Sequence, residues 1–326
     1  MTRSQLQEMI RPVLGDLEEF DRRLDKYLKA DSRLITAVVK HIMASRGKRL
    51  RPSMLFLSAR GGNCWSLEVI DAALAVELIH TATLLHDDVV DESDTRRGQE
   101  SVNFRWNNLV SVLMGDFLFS RAFQIMVRTG SPELIGAISK ATERVSFGEL
   151  RQIEEADNFE LNEKEYIKII SDKTASLFAV SCEAGPILKK SPEMERNHLR
   201  DFGENIGIAF QIADDLLDYV GDPDKTGKAR CADLLQGKIT LPLIHALARS
   251  SEKVRTEISG LLNNGIDEQG VDRVFQFIND QGGIDYAYDV ARSYSEKAAG
   301  VFEILDDNEY SRRLKQLVDF TVTRDN

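Results

Sequence analysis

Apolar side chains recur along the chain at three- and four-residue steps, in long stretches separated by short Gly, Pro or Asn breaks. Leu6, Ile10, Val13, Leu14, Leu17, Phe20 and Leu24 follow those steps and predict one amphipathic helix over residues 5–30. Between Leu67 and Leu85 the pattern is apolar nearly all round, with Val69, Leu74, Val76, Leu78, Ile79 and Leu84, which predicts a central helix enclosed by others. Residues 109–127 read the same way. Breaks are expected at Gly61-Gly62, Gly98, Gly130-Ser131-Pro132, Asn158, Gly185-Pro186, Gly221 to Gly227, Gly265 and Gly282-Gly283. No alternating strand pattern stands out, so the fold class is all-α. No Pro-, Gly- or Ser-rich linker divides the chain, and 1–326 reads as a single domain, a large helical bundle around a central cavity.

Two of the helical runs end in the same acidic signature. Leu84-Leu85-His86 leads into Asp87-Asp88-Val89-Val90-Asp91, and Phe210-Gln211-Ile212-Ala213 leads into Asp214-Asp215-Leu216-Leu217-Asp218. Helix positions i and i+4 lie one above the other, so Asp87 and Asp91 point the same way. Like charges crowded there repel. A hard divalent cation relieves them, most naturally Mg2+ with water and substrate phosphates completing its octahedron. One motif alone reads equally well as a solvated acidic helix end. The second copy favours two facing helix ends that hold a Mg2+ cluster suited to a pyrophosphate, with Gln211 joining the second face.

Basic residues accompany both motifs. Thr95-Arg96-Arg97-Gly98 follows the first, Gly227-Lys228 and Gly237-Lys238 follow the second, and Arg46-Gly47-Lys48-Arg49-Leu50-Arg51 lies upstream. Guanidinium forks match phosphate oxygens, and lysine supplies a mobile point charge. Lys173 interrupts an apolar helical stretch, as a site residue would and as a snorkelling surface lysine also would. His80 stands two helical turns before Asp87 on the same face, where a buried structural histidine is the alternative.

In order and spacing these pieces resemble the all-trans isoprenyl diphosphate synthases, especially the bacterial medium- and long-chain polyprenyl synthases. The resemblance runs from Gly47 almost to the C-terminus, through GKRLRP (47–52), ELIHTATLLHDDVVDESDTRRG (77–98), GDFLFSRAF (115–123), KTASLF (173–178), FQIADDLLDYVGD (210–222) and GKITLPLI (237–244). It implies the isoprenoid synthase fold, a homodimer, and a Mg2+-dependent prenyltransferase that joins isopentenyl diphosphate head to tail to an allylic diphosphate such as farnesyl diphosphate. By the same resemblance, Asp87, Asp91 and Asp214 ligate Mg2+ directly, while Asp88, Asp215 and Asp218 support them or bind through water. Arg96, Lys173, Lys228 and Lys238 contact the allylic diphosphate, helped by Thr174 and Gln211. Lys48, Arg51, His80 and Arg97 take isopentenyl diphosphate, and Arg324 near the end of the chain folds over that site. Ionisation of the allylic substrate falls to Asp87, Asp91, Asp214, Arg96, Lys173 and Lys238. Phe210 offers a ring face to the cation, or simply packs in the core.

Product length depends on what lies below Asp87. Thr83 and Ala82, about one turn deeper, are both small, where short-chain members of the family carry an aromatic floor. The candidates for a deeper floor are Ile79 and the rings of Phe117, Phe119 and Phe123. With each isoprene unit spanning roughly 5 Å, about one turn of helix, the product is expected at roughly C30 to C50. A geranylgeranyl-length synthase and a terpene cyclase-like diphosphate ioniser are the alternatives, although a cyclase would leave Lys48, Arg51 and Arg97 idle. The chain departs from its relatives' GKPxGxDLxEGK, having Ala229, Cys231 and Gln236 where Pro, Gly and Glu are usual. Closure of that loop should change. The stretch Asp222 to Asp233 nearly fits a calcium loop, yet its position 12 is Asp rather than Glu and position 2 is Pro.

Composition narrows the classes further. A net charge of −11 gives no overall basic field for nucleic acid. Cys64, Cys182 and Cys231 are three in number and lack metal-ligand spacing, which suits a reducing cytoplasm. The N-terminal residues lack the apolar core of a signal peptide, and no uninterrupted apolar run approaches the roughly 18 residues of a spanning helix. A soluble cytoplasmic enzyme with no integral membrane segment is therefore expected.

Overall fold

The computed structural model describes residues 3–45, 47–62, 64–221, 231–263, 268–303 and 307–322. In its first half lie α1 (Arg3–Met9), α2 (Leu14–Tyr27), α3 (Arg33–Ala44), α4 (Leu50–Gly61), α5 (Leu67–Val90), α6 (Val102–Arg105), α7 (Asn108–Arg128) and α8 (Pro132–Glu154). There follow α9 (Glu163–Ile170), α10 (Ser176–Lys189), α11 (Glu193–Val220), α12 (Ala232–Leu235), α13 (Leu241–Ala248), α14 (Glu252–Asn263), α15 (Glu268–Asp280), α16 (Gly283–Gly300) and α17 (Glu309–Val322). The all-α expectation holds. Side-chain caps start several of these helices where the sequence supplies them, from Ser32 to the Ile35 N–H, Asn107 to Val110, Ser131 to Leu134 and Asn162 to Glu165.

The apolar helix α5 is the axis of the first half. Its 24 residues, about 36 Å long, bury Val69 through Ile79 without interruption against α4, α7 and α10. Along its neighbour α11 the core passes from one cluster to another: Phe202 and Ile206 belong with α4, α5 and α7, whereas Ile208, Ile212 and Leu216 belong with α9, α13, α15 and α16. One helix thus ties the halves that carry the two acidic motifs.

Three expectations need correction. The stretch 5–30 is not one helix, because Pro12 sits in a 3-10 turn, Arg11–Val13, between α1 and α2, and Leu14 is exposed. Gly185-Pro186 does not break α10. A side chain at Gly185 would meet the Ala59 backbone at 2.6 Å, so glycine there lets α10 approach α4, and the helix continues through the proline. Finally, α7 is not enclosed: Leu109, Leu113, Phe123 and Val127 lie exposed along one stripe. Phe147, Leu150 and Ile153 do the same on α8.

Two helices, Leu67–Val90 and Asn108–Arg128, are long and apolar enough to cross a membrane by length and composition. In α5 72% of the relevant window is buried inside the protein, so its apolarity serves the core, while in α7 only 39% is. A short antiparallel hairpin, Thr95–Arg96 with Gln99–Glu100, was not expected. Two residues per strand are too few for alternation to register. Its turn residues Arg97 and Gly98 both have positive φ, 54° and 74°, as a two-residue hairpin turn requires.

Candidate active site

The acidic ends of α5 and α11 open on the same cleft. Asp91, the C-cap of α5, meets the Lys238 ammonium, contributed by the segment before α13, at 3.3 Å across 147 residues of sequence. Asp87 is half-buried. Burial raises its carboxyl to about 7, and Glu149 of α8 and Asp91 add to the rise, while Lys173 and Arg96 oppose it. Such a rise reflects burial first and the neighbouring carboxylates second, both of which disfavour the ionised form. Asp214 is exposed at the end of α11.

The other three aspartates accept hydrogen bonds from the protein itself, as befits groups expected to support the site or to bind metal through water. Asp88 is only 2% exposed and accepts from Arg96 Nε at 2.7 Å and Nη2 at 2.5 Å. With Arg96 it lines a cavity of about 70 Å3 beneath α3, on the face of α5 that Glu77, Thr81 and Leu84 share, away from Asp87. Asp215 is buried with both oxygens taken, by Tyr166 at 2.6 Å and Gln211 at 2.8 Å. Asp218 accepts from the backbone N–H groups of Ala232 and Asp233, each at 3.1 Å, and so caps α12. Position i+4 placed Asp218 on the face of Asp214, and the helix that follows claims it.

Among the described residues no group of three or more His, Cys, Asp or Glu side chains forms a preformed metal cage. Mg2+ seldom uses one. It is usually held by one or two carboxylates together with substrate phosphates, so Asp87, Asp91 and Asp214, as hard oxygen donors, suit a cation that arrives with a diphosphate.

Lys173 and Thr174 lie on a π-helical turn, Ser171–Ala175, between α9 and α10. Such turns insert an extra residue and recur at functional sites. This one is held on three sides. Lys173 Nζ reaches Glu149 at 2.8 Å and Gln152 at 2.7 Å, Thr174 donates to Gln211 at 2.7 Å, and Arg144 binds Asp172, Ser171 and Glu204. A side chain at Gly148 would lie 2.4 Å from the Lys173 nitrogen, so glycine there lets α8 touch the turn.

A second cationic place lies beside the first. Arg51 at the start of α4 donates to His80 Nε2 at 3.0 Å and lies over the Phe178 ring at 4.4 Å, itself packed on Phe210 at 5.3 Å. Its Nε is buried without a hydrogen-bond partner, and among the described residues no carboxylate pairs with it. Burial lowers the guanidinium to about 10, still charged at neutral pH. Burial and the surrounding arginines push His80 well below its ordinary value, so it is a neutral acceptor. Arg97, at the hairpin turn, donates to the Ser45 carbonyl at 3.1 Å and crowds Gly47. Lys48 is exposed at the same edge.

Of the remaining expected residues, Thr83 is half-buried with its hydroxyl on the His80 carbonyl, whereas Ala82 and Ile79 have no exposed surface. Phe119 packs on His86 at 5.8 Å and Phe117 lies under Arg121. Phe123 is 52% exposed on the outer stripe of α7, which removes it as a floor within the chain. Lys228, Arg324 and most of the calcium-like loop fall outside the described residues. Sequence reasoning missed Glu149 and Gln152, which stand at i and i+3 beside Gly148. It also missed Tyr166, seven residues before Lys173.

A family model described as "Polyprenyl synthetase" matches residues 32–278. The chain is 35% identical over 324 residues to an octaprenyl diphosphate synthase of Haemophilus influenzae, covering 99% of this chain and 98% of that one. To an all-trans-nonaprenyl-diphosphate synthase (geranyl-diphosphate specific) of Rhodobacter capsulatus it is 36% identical over 319 residues, 98% of each chain. A crystal structure of a polyprenyl synthase from Caulobacter crescentus, complexed with calcium and isoprenyl diphosphate, superposes with a TM-score of 0.93 at 36% identity, covering 100% of this chain and 98% of that one. The chain belongs to the polyprenyl synthetase family and is a trans-prenyltransferase, a polyprenyl diphosphate synthase.

Proposed function

We propose that this enzyme condenses isopentenyl diphosphate head to tail with an allylic diphosphate, farnesyl diphosphate being one such primer, to give an all-trans polyprenyl diphosphate of roughly C30 to C50. The observation that carries this reading is the pairing of two unlike anion sites. On one side the carboxylates Asp87 and Asp91 stand with Lys173 and Lys238, and on the other Arg51 and His80 stand with no carboxylate partner among the described residues.

Mg2+, when bound through Asp87, Asp91 and Asp214, would neutralise the allylic diphosphate and stabilise the departing pyrophosphate. Lys173 and Lys238 add positive charge on the same side as the C–O bond breaks, each now resting on a carboxylate that it can exchange for phosphate. Arg96, paired with Asp88, would have to reach that diphosphate from the Asp88 side of α5, and Thr174 and Gln211 would offer neutral hydrogen bonds. The second diphosphate has to stay intact while its double bond attacks the allylic carbon. Arg51, His80, Arg97 and Lys48 supply that cationic, metal-free place. Phe210, packed on the Phe178 ring at 5.3 Å, would offer its π-face to developing cationic charge. Names among the relatives, octaprenyl and nonaprenyl, fall within the expected range of length.

The exposed apolar stripes of α7 and α8 fit a homodimer, since exposed patches of this kind mark interaction surfaces. Free Cys64, Cys182 and Cys231 agree with a reducing cytoplasm. Incubation with Mg2+, farnesyl diphosphate and labelled isopentenyl diphosphate, followed by sizing of the products, tests the reaction; no incorporation would overturn it. Sedimentation as a monomer at micromolar concentration would count against the dimer.

A further inference from the structure

One buried chain of hydrogen bonds ties α9, the acidic end of α11 and the π turn together. Tyr166 of α9 is 3% exposed and donates its hydroxyl to Asp215 Oδ2 at 2.6 Å. Gln211 donates its amide to the other oxygen of Asp215 at 2.8 Å, and its carbonyl accepts from Thr174 on the π turn at 2.7 Å. Every link points toward Asp215. With both oxygens taken in a buried place, this carboxylate has no reason to turn toward the cleft, and losing either donor would leave a buried oxygen unsatisfied. Asp214 precedes it and Gln211 lies one turn earlier on α11, so whatever fixes Asp215 fixes the acidic end of that helix relative to Lys173 and Thr174.

We propose that Tyr166 is a positioning residue: by holding Asp215 it sets Gln211 against Thr174 and aims Asp214 into the cleft, so that α11 and the π turn present one diphosphate site. This rests on the reading of the cleft as a metal-diphosphate site, and it assigns Asp215 to the framework instead of the coordination sphere. Tyr166 acts at a distance from the chemistry. Its effect should therefore appear in binding of the metal-pyrophosphate unit and in turnover, and should spare the isopentenyl diphosphate site around Arg51 and His80, to which this network makes no hydrogen bond.

The test uses the full chain and the variants Tyr166→Phe, Asp215→Asn and their double. Tyr166→Phe keeps the ring that fills the core and removes only the donor. Two readouts are taken: binding of Mn2+ with inorganic pyrophosphate, followed by electron paramagnetic resonance and calorimetry, and steady-state kinetics with each substrate varied. A hydrogen bond to a charged group is worth on the order of a tenfold change or more in an equilibrium. Tyr166→Phe is therefore expected to weaken Mn2+-pyrophosphate binding and to lower kcat by that order, with KM for isopentenyl diphosphate within about twofold. Because it acts through Asp215, it should add almost nothing in the Asp215→Asn background. Unchanged Mn2+-pyrophosphate affinity, a mere fall in thermal stability, or additive losses would overturn the proposal. The proposed reaction stands or falls on product formation by the unaltered enzyme, whereas the Mn2+-pyrophosphate cycle reads the role of Tyr166 without turnover.

Discussion

Replacing His80 by Gln separates two consequences of the same hydrogen bond. His80 lies among Arg51, Arg97, Arg96 and Arg49, and burial together with these cations pushes it well below its ordinary value of 6.5. The unfolded chain therefore takes up a proton below pH 6.5 that the folded chain refuses. Its contribution to stability is complete above that pH and is lost as the pH falls. At pH 5.5 the loss from one such group is at most about 1.4 kcal/mol. For a chain of 326 residues, an unfolding entropy of about 2 cal/mol/K per residue turns that into roughly 2 °C in Tm. Glutamine cannot take the proton, yet its side-chain oxygen can still accept from Arg51, which is 3.0 Å from His80 Nε2 in the native protein. Scanning calorimetry at pH 8 and pH 5.5 should show the native enzyme losing up to about 2 °C more than His80→Gln, other titrations being common to both. Adding isopentenyl diphosphate should narrow the gap, since an anion beside His80 restores its affinity for a proton. Parallel losses in the two proteins would mean that His80 is protonated in the folded state, and the picture of a neutral acceptor aiming Arg51 would fail.

Asp87→Ala or Asp214→Ala should lower kcat by orders of magnitude with the helical circular dichroism unchanged, because each removes a carboxylate donor proposed for the metal; a folded variant with near-normal turnover would put the metal elsewhere. Lys48→Ala and Arg51→Ala should chiefly raise KM for isopentenyl diphosphate, and equal effects on the allylic primer would argue against separate sites. Thr83→Phe should shorten the product to about C15 to C20, a ring of that size standing about one turn below Asp87. Ala82→Phe, with no free surface at that position, should instead cost stability by overpacking, about 1–3 kcal/mol. Product sizing and thermal unfolding distinguish the two.

How much of the site could be read from the sequence follows the range of each interaction. The direction of Asp87 and Asp91 is set by helix geometry alone, and helix geometry is local, so the spacing sufficed. The same reasoning put Asp88, Asp215 and Asp218 in one acidic set with them. What separates those three is tertiary: Arg96 arrives through a hairpin, Tyr166 from α9, and the backbone of Ala232 and Asp233 from a helix 14 and 15 residues further on. No periodicity announces a partner that distant. Lys173 was legible as a cation in an apolar stretch, but the π turn that presents it was not. Its extra residue leaves the apolar pattern on either side intact.

The apolar pattern failed in one place for a reason that bears on function. All-round apolarity predicted burial for α5 and α7 alike, and only α5 is enclosed by its own chain. A sequence records how much apolar surface a helix carries and not whose surface covers it. For α7 the stripe through Leu109, Leu113, Phe123 and Val127 lies on the far side from Met114, Leu118 and Ala122, which pack in the core shared with α5. Helix α7, packed along α5, therefore has one face in the core and the other outside. If that outer face is covered by a second copy, bulky substitutions at Phe123 will act on assembly first and on product length only through it, whereas those at Thr83 will act on length directly.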